Sequence, residues 1–169
     1  NGAVYWLARM IEGGEDIKFI ARRMLILASE DIGNANPTAL VMANSTFQAV
    51  NILGLPESRI PLSQCAIYLA GSEKSNASYT AINRAQQKVK ETGNLGVPLS
   101  LRNAPTELMK QFDHGKGYQY AHDHENHFIN TEFLPKGLEG FRFYEPAENT
   151  KENQMRKFLK SRWKDKYGY

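Results

Sequence analysis

Apolar residues recur at helical spacing through roughly the first ninety positions, and glycines and prolines interrupt them. Trp6, Leu7, Met10 and Ile11 share one side of a helix that Gly13-Gly14 would end. Asp16 opens a second helix, with a stripe of Ile17, Ile20, Met24 and Leu27 and with Phe19 and Ile26 beside it. Gly33 closes that run, and Arg22 and Arg23 fall between its apolar positions. Asn36-Pro37 reads as a cap followed by proline at the first helical position. The helix it starts, TALVMANSTFQAVNIL, is apolar around much of its circumference and is expected to be central, ending at Gly54 and Pro56. A shorter helix is expected from about Pro61. Ser75 or Asn76 caps another, whose far end is polar.

The texture changes after Asn94. Four of the seven prolines follow it, namely Pro98, Pro105, Pro135 and Pro146, among many aromatic residues. This predicts loops and short elements. From Leu99 to Asp123 hydrophobic periodicity nearly vanishes. A short helix is expected near Thr106, with Asn103 or Thr106 as its cap, and Gly115 and Gly117 stop it. The alternation at Phe141 and Phe143 predicts a brief extended strand, room for a short hairpin. A last helix is expected from about Thr150 to residue 167, with Met155, Phe158, Leu159 and Trp163 on its apolar face. From Lys151 to the end there are seven basic residues against Glu152 and Asp165. The pattern divides the chain into a helical body over about 1–93, a loop-rich region over about 94–149 and a basic helix over about 150–167. All of it is read as a single all-α domain.

Composition narrows the function classes. The chain has 169 residues, 41% hydrophobic, with a formal net charge of +3. That suits a packed domain, and the mildly basic balance is compatible with nucleic-acid contact. Cys65 is the only cysteine, so no internal disulfide forms, and its apolar neighbours make it a small core residue. No apolar run reaches membrane-spanning length, and none has the form of a signal peptide. The chain opens on Asn1 and is in helical pattern by Val4, as expected of a domain cut from a longer protein.

Catalytic equipment is missing from the pattern. There is no phosphate-binding G-x-x-x-x-G-K-[ST] run, no dinucleotide fingerprint and no serine in a nucleophile elbow. All four histidines, His114, His122, His124 and His127, lie in one segment with Asp113, Asp123 and Glu125. Neither H-E-x-x-H nor a Cys/His ligand pair organises them, so they read as surface loop residues rather than a metal centre. No enzyme activity, cofactor or metal is expected of this chain. The expected chemistry is contact. Arg102, Asn103, Lys110, Lys116, Tyr118, Tyr120 and His122 form a candidate interaction surface, since loops carry binding and tyrosines offer rigid area with a polar tip. Arg156, Lys160, Arg162 and Lys164 are candidate phosphate contacts.

The runs LASEDIG, SEKSNASYTAI, LRNAPTELMK and GKGYQYAHD occur in that order. Through them the chain resembles the C-terminal domain of the replication-associated recombination protein A (RarA/MgsA) family of AAA+ ATPases, related to the Werner helicase-interacting protein. The likeness runs from YWLARM to RFYEP. It implies a helical oligomerisation domain similar to the collar of clamp-loader subunits, assembling as a homotetramer. It also implies an upstream ATPase module using ATP and Mg. A parent acting on DNA at replication forks, with single-stranded-DNA-binding protein as partner, and a cytoplasmic, nucleoid-associated location follow from the same likeness. No catalytic residue carries over onto these positions. The alternative function is an accessory DNA-binding module built from the basic loop and the C-terminal helix.

Overall fold

The computed structural model describes residues 1–169, and the protein is all-α with no strand. Its helices are α1 (Gly2–Glu12), α2 (Ile17–Leu27), α3 (Thr38–Leu53), α4 (Arg59–Ala70), α5 (Ala77–Thr92), α6 (Glu107–Gln111) and α7 (Thr150–Trp163). The chain folds into two compact units, one of residues 1–83 with 144–155 and one of residues 84–143 with 156–169.

In the first unit, α2 packs against α3, and α4 packs against α1 and α3. Two apolar clusters result. One gathers Leu7, Ile20, Ala21, Val50, Leu62 and Ala66, and the other Ala28, Ile32, Ala39, Ala43, Cys65 and Leu69. Asp16 opens α2 by accepting from the Lys18 N–H at 2.9 Å. The helix does not run regularly to Gly33. Past Leu27 it widens into a π-turn, Ala28–Ile32, and then tightens into a 3-10 turn, Gly33–Ala35. The π-turn inserts a residue into the helical repeat. Ala28 and Ile32 both lie fully inside the second cluster.

Helix α3, expected to be central, is buried on one face only. Its inner face is Ala39, Ala43, Thr46 and Val50, while Leu40, Val41, Ile52 and Leu53 are exposed. Small inward residues let α2 and α4 approach closely, and the larger apolar ones are left outside. Asn36 does not cap α3 with its side chain. Its amide donates instead to the Tyr68 hydroxyl and to Ser72 Oγ, at 3.0 and 3.1 Å. Helix α4 begins at Arg59, which puts Pro61 within its first turn. Ser75 caps α5, its Oγ accepting from the Ala77 N–H at 3.2 Å.

In the second unit, Thr106 rather than Asn103 caps the short α6, accepting from the Met109 N–H at 3.3 Å. The strand or hairpin expected at Phe141 and Phe143 does not form. The alternation survives, because the two rings meet on one side at 4.7 Å, but no second strand pairs with the segment. Side chains take that role: Arg142 Nη1 donates to the Gly168 carbonyl at 2.8 Å, and the Gly140 N–H donates to Glu132 at 3.3 Å.

Candidate functional site

The residues of the loop that opens at Leu99 form a cleft of about 390 Å³ within the second unit. Ser100, Leu101 and the run from Gly117 to His122 make one part of its lining. His127, Phe128, Ile129, Thr131 and Phe133 make the other. Tyr118 and Tyr120 are 63% and 54% exposed, so their ring faces are open. A ring series continues along the lining, with Tyr120 to His122 at 5.1 Å and His122 to His127 at 4.9 Å, all three residues exposed. Asn126 and His127 are successive residues with left-handed backbone, at φ 57° and 52°. Asparagine and histidine are both among the non-glycine residues that adopt that conformation most often, and His127 carries it into the cleft wall.

The expected interaction residues divide. Tyr118, Tyr120 and His122 meet in the cleft. Arg102 is half-buried and staples its own loop, its Nε donating to the Val97 carbonyl at 2.7 Å. Asn103, Lys110 and Lys116 lie outside the lining. Lys110 pairs with Glu107 at 2.7 Å and Lys116 with Asp113 at 3.0 Å. Both pairs are well exposed, and pairs of that kind hold little energy. His114 and His124 stay out of the cleft, and the histidines and carboxylates do not converge into a metal-binding group.

The basic C-terminal helix reaches the same cleft through one ring. Trp163 stands edge-on to Phe128 at 4.8 Å and to Phe133 at 6.1 Å, and both phenylalanines are cleft walls. Lys160 and Lys164 are exposed, the latter at φ 51°. The Arg162 guanidinium lies over the Phe158 ring at 5.2 Å, and Phe158 is exposed rather than packed as the apolar stripe suggested. Arg156 is half-buried. Lys166 Nζ pairs with Glu132 at 3.2 Å and sits over the Trp163 ring at 4.9 Å, which fixes the end of the helix.

Two carboxylates that carry no distinctive sequence signal hold the structure around these surfaces. Glu152 is fully buried in the first unit. The Tyr144 hydroxyl donates to it at 2.8 Å, Asn149 donates through its amide, and Ser75 completes the set. Burial pushes its carboxyl upward, but these donors and the Ala147 N–H outweigh that and hold it below the usual carboxylate value. In the second unit, burial likewise raises Glu132, while the Leu134 and Gly140 N–H groups and Lys166 bring it lower overall. The only sequence hint of Glu152 was its place as Asn-x-x-Glu at the start of a helix. Cys65 has no nucleophile character: burial pushes its thiol up, against a smaller lowering by a hydrogen bond with Thr46.

Large apolar side chains are also exposed on the helices of the first unit. Tyr5, Trp6, Val41, Ile52, Ile60, Ile67 and Ile82 are each more than half exposed. On α4, Leu62, Cys65, Ala66 and Leu69 face inward, while Ile60 and Ile67, two turns apart, face out. No helix is long and apolar enough to cross a membrane.

An all-α body lined with outward apolar residues, followed by an aromatic loop and a basic end, agrees with the likeness to known proteins. Residues 1–163 match the family described as MgsA AAA+ ATPase C terminal. The chain belongs to this family. A replication-associated recombination protein A from Coxiella burnetii is 45% identical over 160 residues, covering 94% of this chain and 36% of the relative. The protein of that name from Escherichia coli is 39% identical over 156 residues, covering 92% and 35%. An uncharacterized Thermotoga maritima protein is 45% identical over 168 residues, covering 99% and 27%. The chain thus spans about a third of the length of the curated relatives it matches.

Proposed function

We propose that this chain is the homo-oligomerisation module, a tetramerisation domain, of a clamp-loader-like AAA+ ATPase that acts in replication-fork maintenance, recombination and repair. The observation that carries the reading is the number of large apolar side chains that the helices of the first unit turn outward, with Ile52 at 82% exposure and Val41, Ile60 and Ile67 near 60%. Apolar area of that kind on a helical body marks a surface that another protein covers, and a symmetric homo-oligomer is the commonest way to cover it. Catalysis then belongs to a separate AAA+ module holding ATP and Mg, and this chain supplies assembly. DNA and single-stranded-DNA-binding protein are partners of the whole protein, in a cytoplasmic, nucleoid-associated setting. Sedimentation of the 169-residue chain tests the reading. Assembly at tens of micromolar, an order-of-magnitude working concentration for an obligate oligomer, is expected, and a strict monomer there overturns it.

A second reading, accessory DNA contact, is favoured by one observation: Lys157, Lys160 and Lys164 are exposed on the C-terminal segment and form no salt bridge. Arg102, Lys110 and Lys116 would add to them. Fluorescence anisotropy with forked and single-stranded DNA at two salt concentrations is the measurement, and phosphate contacts require binding to weaken as salt rises. Absence of binding at low salt removes this reading.

A further inference from the structure

We propose that the aromatic cleft of the second unit is a pocket for one unpaired nucleobase of single-stranded DNA, with the adjoining phosphates held by the basic end of α7. The inference rests on the DNA-contact reading and gives it a site. Three observations carry it. The first is the lining. Tyr118, Tyr120 and Phe133 present exposed ring faces, and His122 and His127 continue the ring series at 5.1 and 4.9 Å spacing. A base stacks on such faces whatever its identity. Ser100, Gln119 and Thr131 share the lining and offer both donors and acceptors to a base edge.

The second observation is size and charge. A cleft of about 390 Å³ holds a planar heterocycle and part of its sugar, and its lining contains no aspartate, glutamate, lysine or arginine. A neutral ring fits such a lining better than a charged group does. The segment's own acids, Glu107, Asp113, Asp123 and Glu125, lie outside it.

The third observation joins the cleft to cations. Trp163 buttresses the Phe128 and Phe133 walls at 4.8 and 6.1 Å, and Arg162 and Lys164 flank Trp163 along the chain. From residue 156 to residue 166 there are six basic residues and one acid, Asp165. A strand leaving a base in the cleft would therefore meet positive charge close to its next phosphates.

The test uses the 169-residue chain and a fifteen-nucleotide dT oligomer carrying one central 2-aminopurine, whose fluorescence falls when the base stacks, together with a duplex of equal length. The wild type is expected to bind the single strand with quenching of the 2-aminopurine. Tyr118→Ala with Tyr120→Ala weakens single-strand binding about tenfold or more and abolishes the quench. Duplex binding stays unchanged, and Tyr118→Phe with Tyr120→Phe restores the quench, because a phenyl face stacks as a phenol does. If the alanine pair binds single strands as tightly as the wild type with the quench intact, the pocket assignment is overturned while DNA contact survives. If Lys160→Glu with Lys164→Glu leaves single-strand binding unweakened, the phosphate path is wrong. If the wild type binds no DNA at low salt, the proposal and the DNA-contact reading fall together, and the assembly reading stands on sedimentation alone.

Discussion

Glu152 shows how one residue closes a unit. It is a fully buried carboxylate, and Tyr144, Asn149 and Ser75 supply the hydrogen bonds that make its burial tolerable. Removing it leaves those donors without an acceptor, so Glu152→Ala should cost about 2–3 kcal/mol in thermal or urea unfolding, with Glu152→Gln nearer half of that. The carboxyl lies below its usual value in the folded protein. A lowered native value means that its stabilisation is complete above the unfolded carboxylate value and disappears as pH falls through the native one. Glu132 has the same sign in the second unit. Unfolding temperature should therefore be steady near neutrality and drop below about pH 4.5, and Glu152→Gln should flatten that drop. Gly33 is the other decisive residue. Its φ is 49°, and a Cβ there would stand 2.9 Å from the Ser75 carbonyl oxygen, a backbone atom that cannot swing away. Gly33→Ala is expected to cost at least about 1–3 kcal/mol from the backbone conformation alone, read as a lowered unfolding temperature. The sequence marked Gly33 as the end of a helix; the α-helix stops earlier, at Leu27, and Gly33 is where the π-turn gives way to a 3-10 turn. The carbonyl beside it comes from Ser75, far along the chain, which no local pattern reveals.

At the scale of elements, helices were legible wherever caps and apolar spacing agreed. Asp16 accepts from the first turn of the helix it was expected to begin, and of the alternatives Ser75 or Asn76 and Asn103 or Thr106, Ser75 and Thr106 make the corresponding bonds. The misreadings have physical causes. The π-turn at Ala28–Ile32 arises because both of its ends are drawn into one apolar cluster, a tertiary demand invisible to a 3.6-residue period. The extended Phe141–Phe143 segment kept its period of two but had no partner strand, because a strand is a property of a pair. Asn36 was drawn away from capping by Tyr68 and Ser72, which only the fold brings near. The cleft was half legible. Tyr118, Tyr120 and His122 were visible as a ring-rich run, whereas Phe128 and Phe133 joined it as walls that Trp163 supports from the distant C-terminal helix. Two predictions belong here. Thr106→Ala removes the cap of a five-residue helix, and a loss of about 1 kcal/mol should appear as faster amide exchange confined to α6 and its flanks. Lys116→Ala with Tyr118→Ala should leave the unfolding temperature nearly unchanged, because Lys116 is engaged only in an exposed ion pair and Tyr118 is 63% exposed. A marked fall in stability would show instead that these side chains merely pin the loop.

For the whole molecule, the question is what covers the outward apolar residues. A helix that is apolar on both sides is normally buried on both. Helix α4 buries Leu62, Cys65, Ala66 and Leu69 within the first unit and leaves Ile60 and Ile67 at 61% and 59% exposure. One side of its pattern is therefore accounted for by the chain's own core and the other is not. Sequence periodicity could not tell these sides apart, since both read as hydrophobic. If a second copy covers Ile60 and Ile67, folding and assembly are linked, and the unfolding temperature of the wild type rises with protein concentration. Ile60→Asp with Ile67→Asp should then yield a smaller sedimenting species whose unfolding temperature no longer depends on concentration. The helical circular dichroism of this variant should match the wild type, because neither side chain contributes to the two buried clusters. Leu62→Ala is the contrasting change. It opens a cavity in the first cluster and should cost about 2–5 kcal/mol at every concentration. Should the aspartate pair sediment as the wild type does, with the same concentration dependence, the α4 face is free in the assembly and the contact lies on α1 or α3, where Trp6 and Ile52 are the next residues to change.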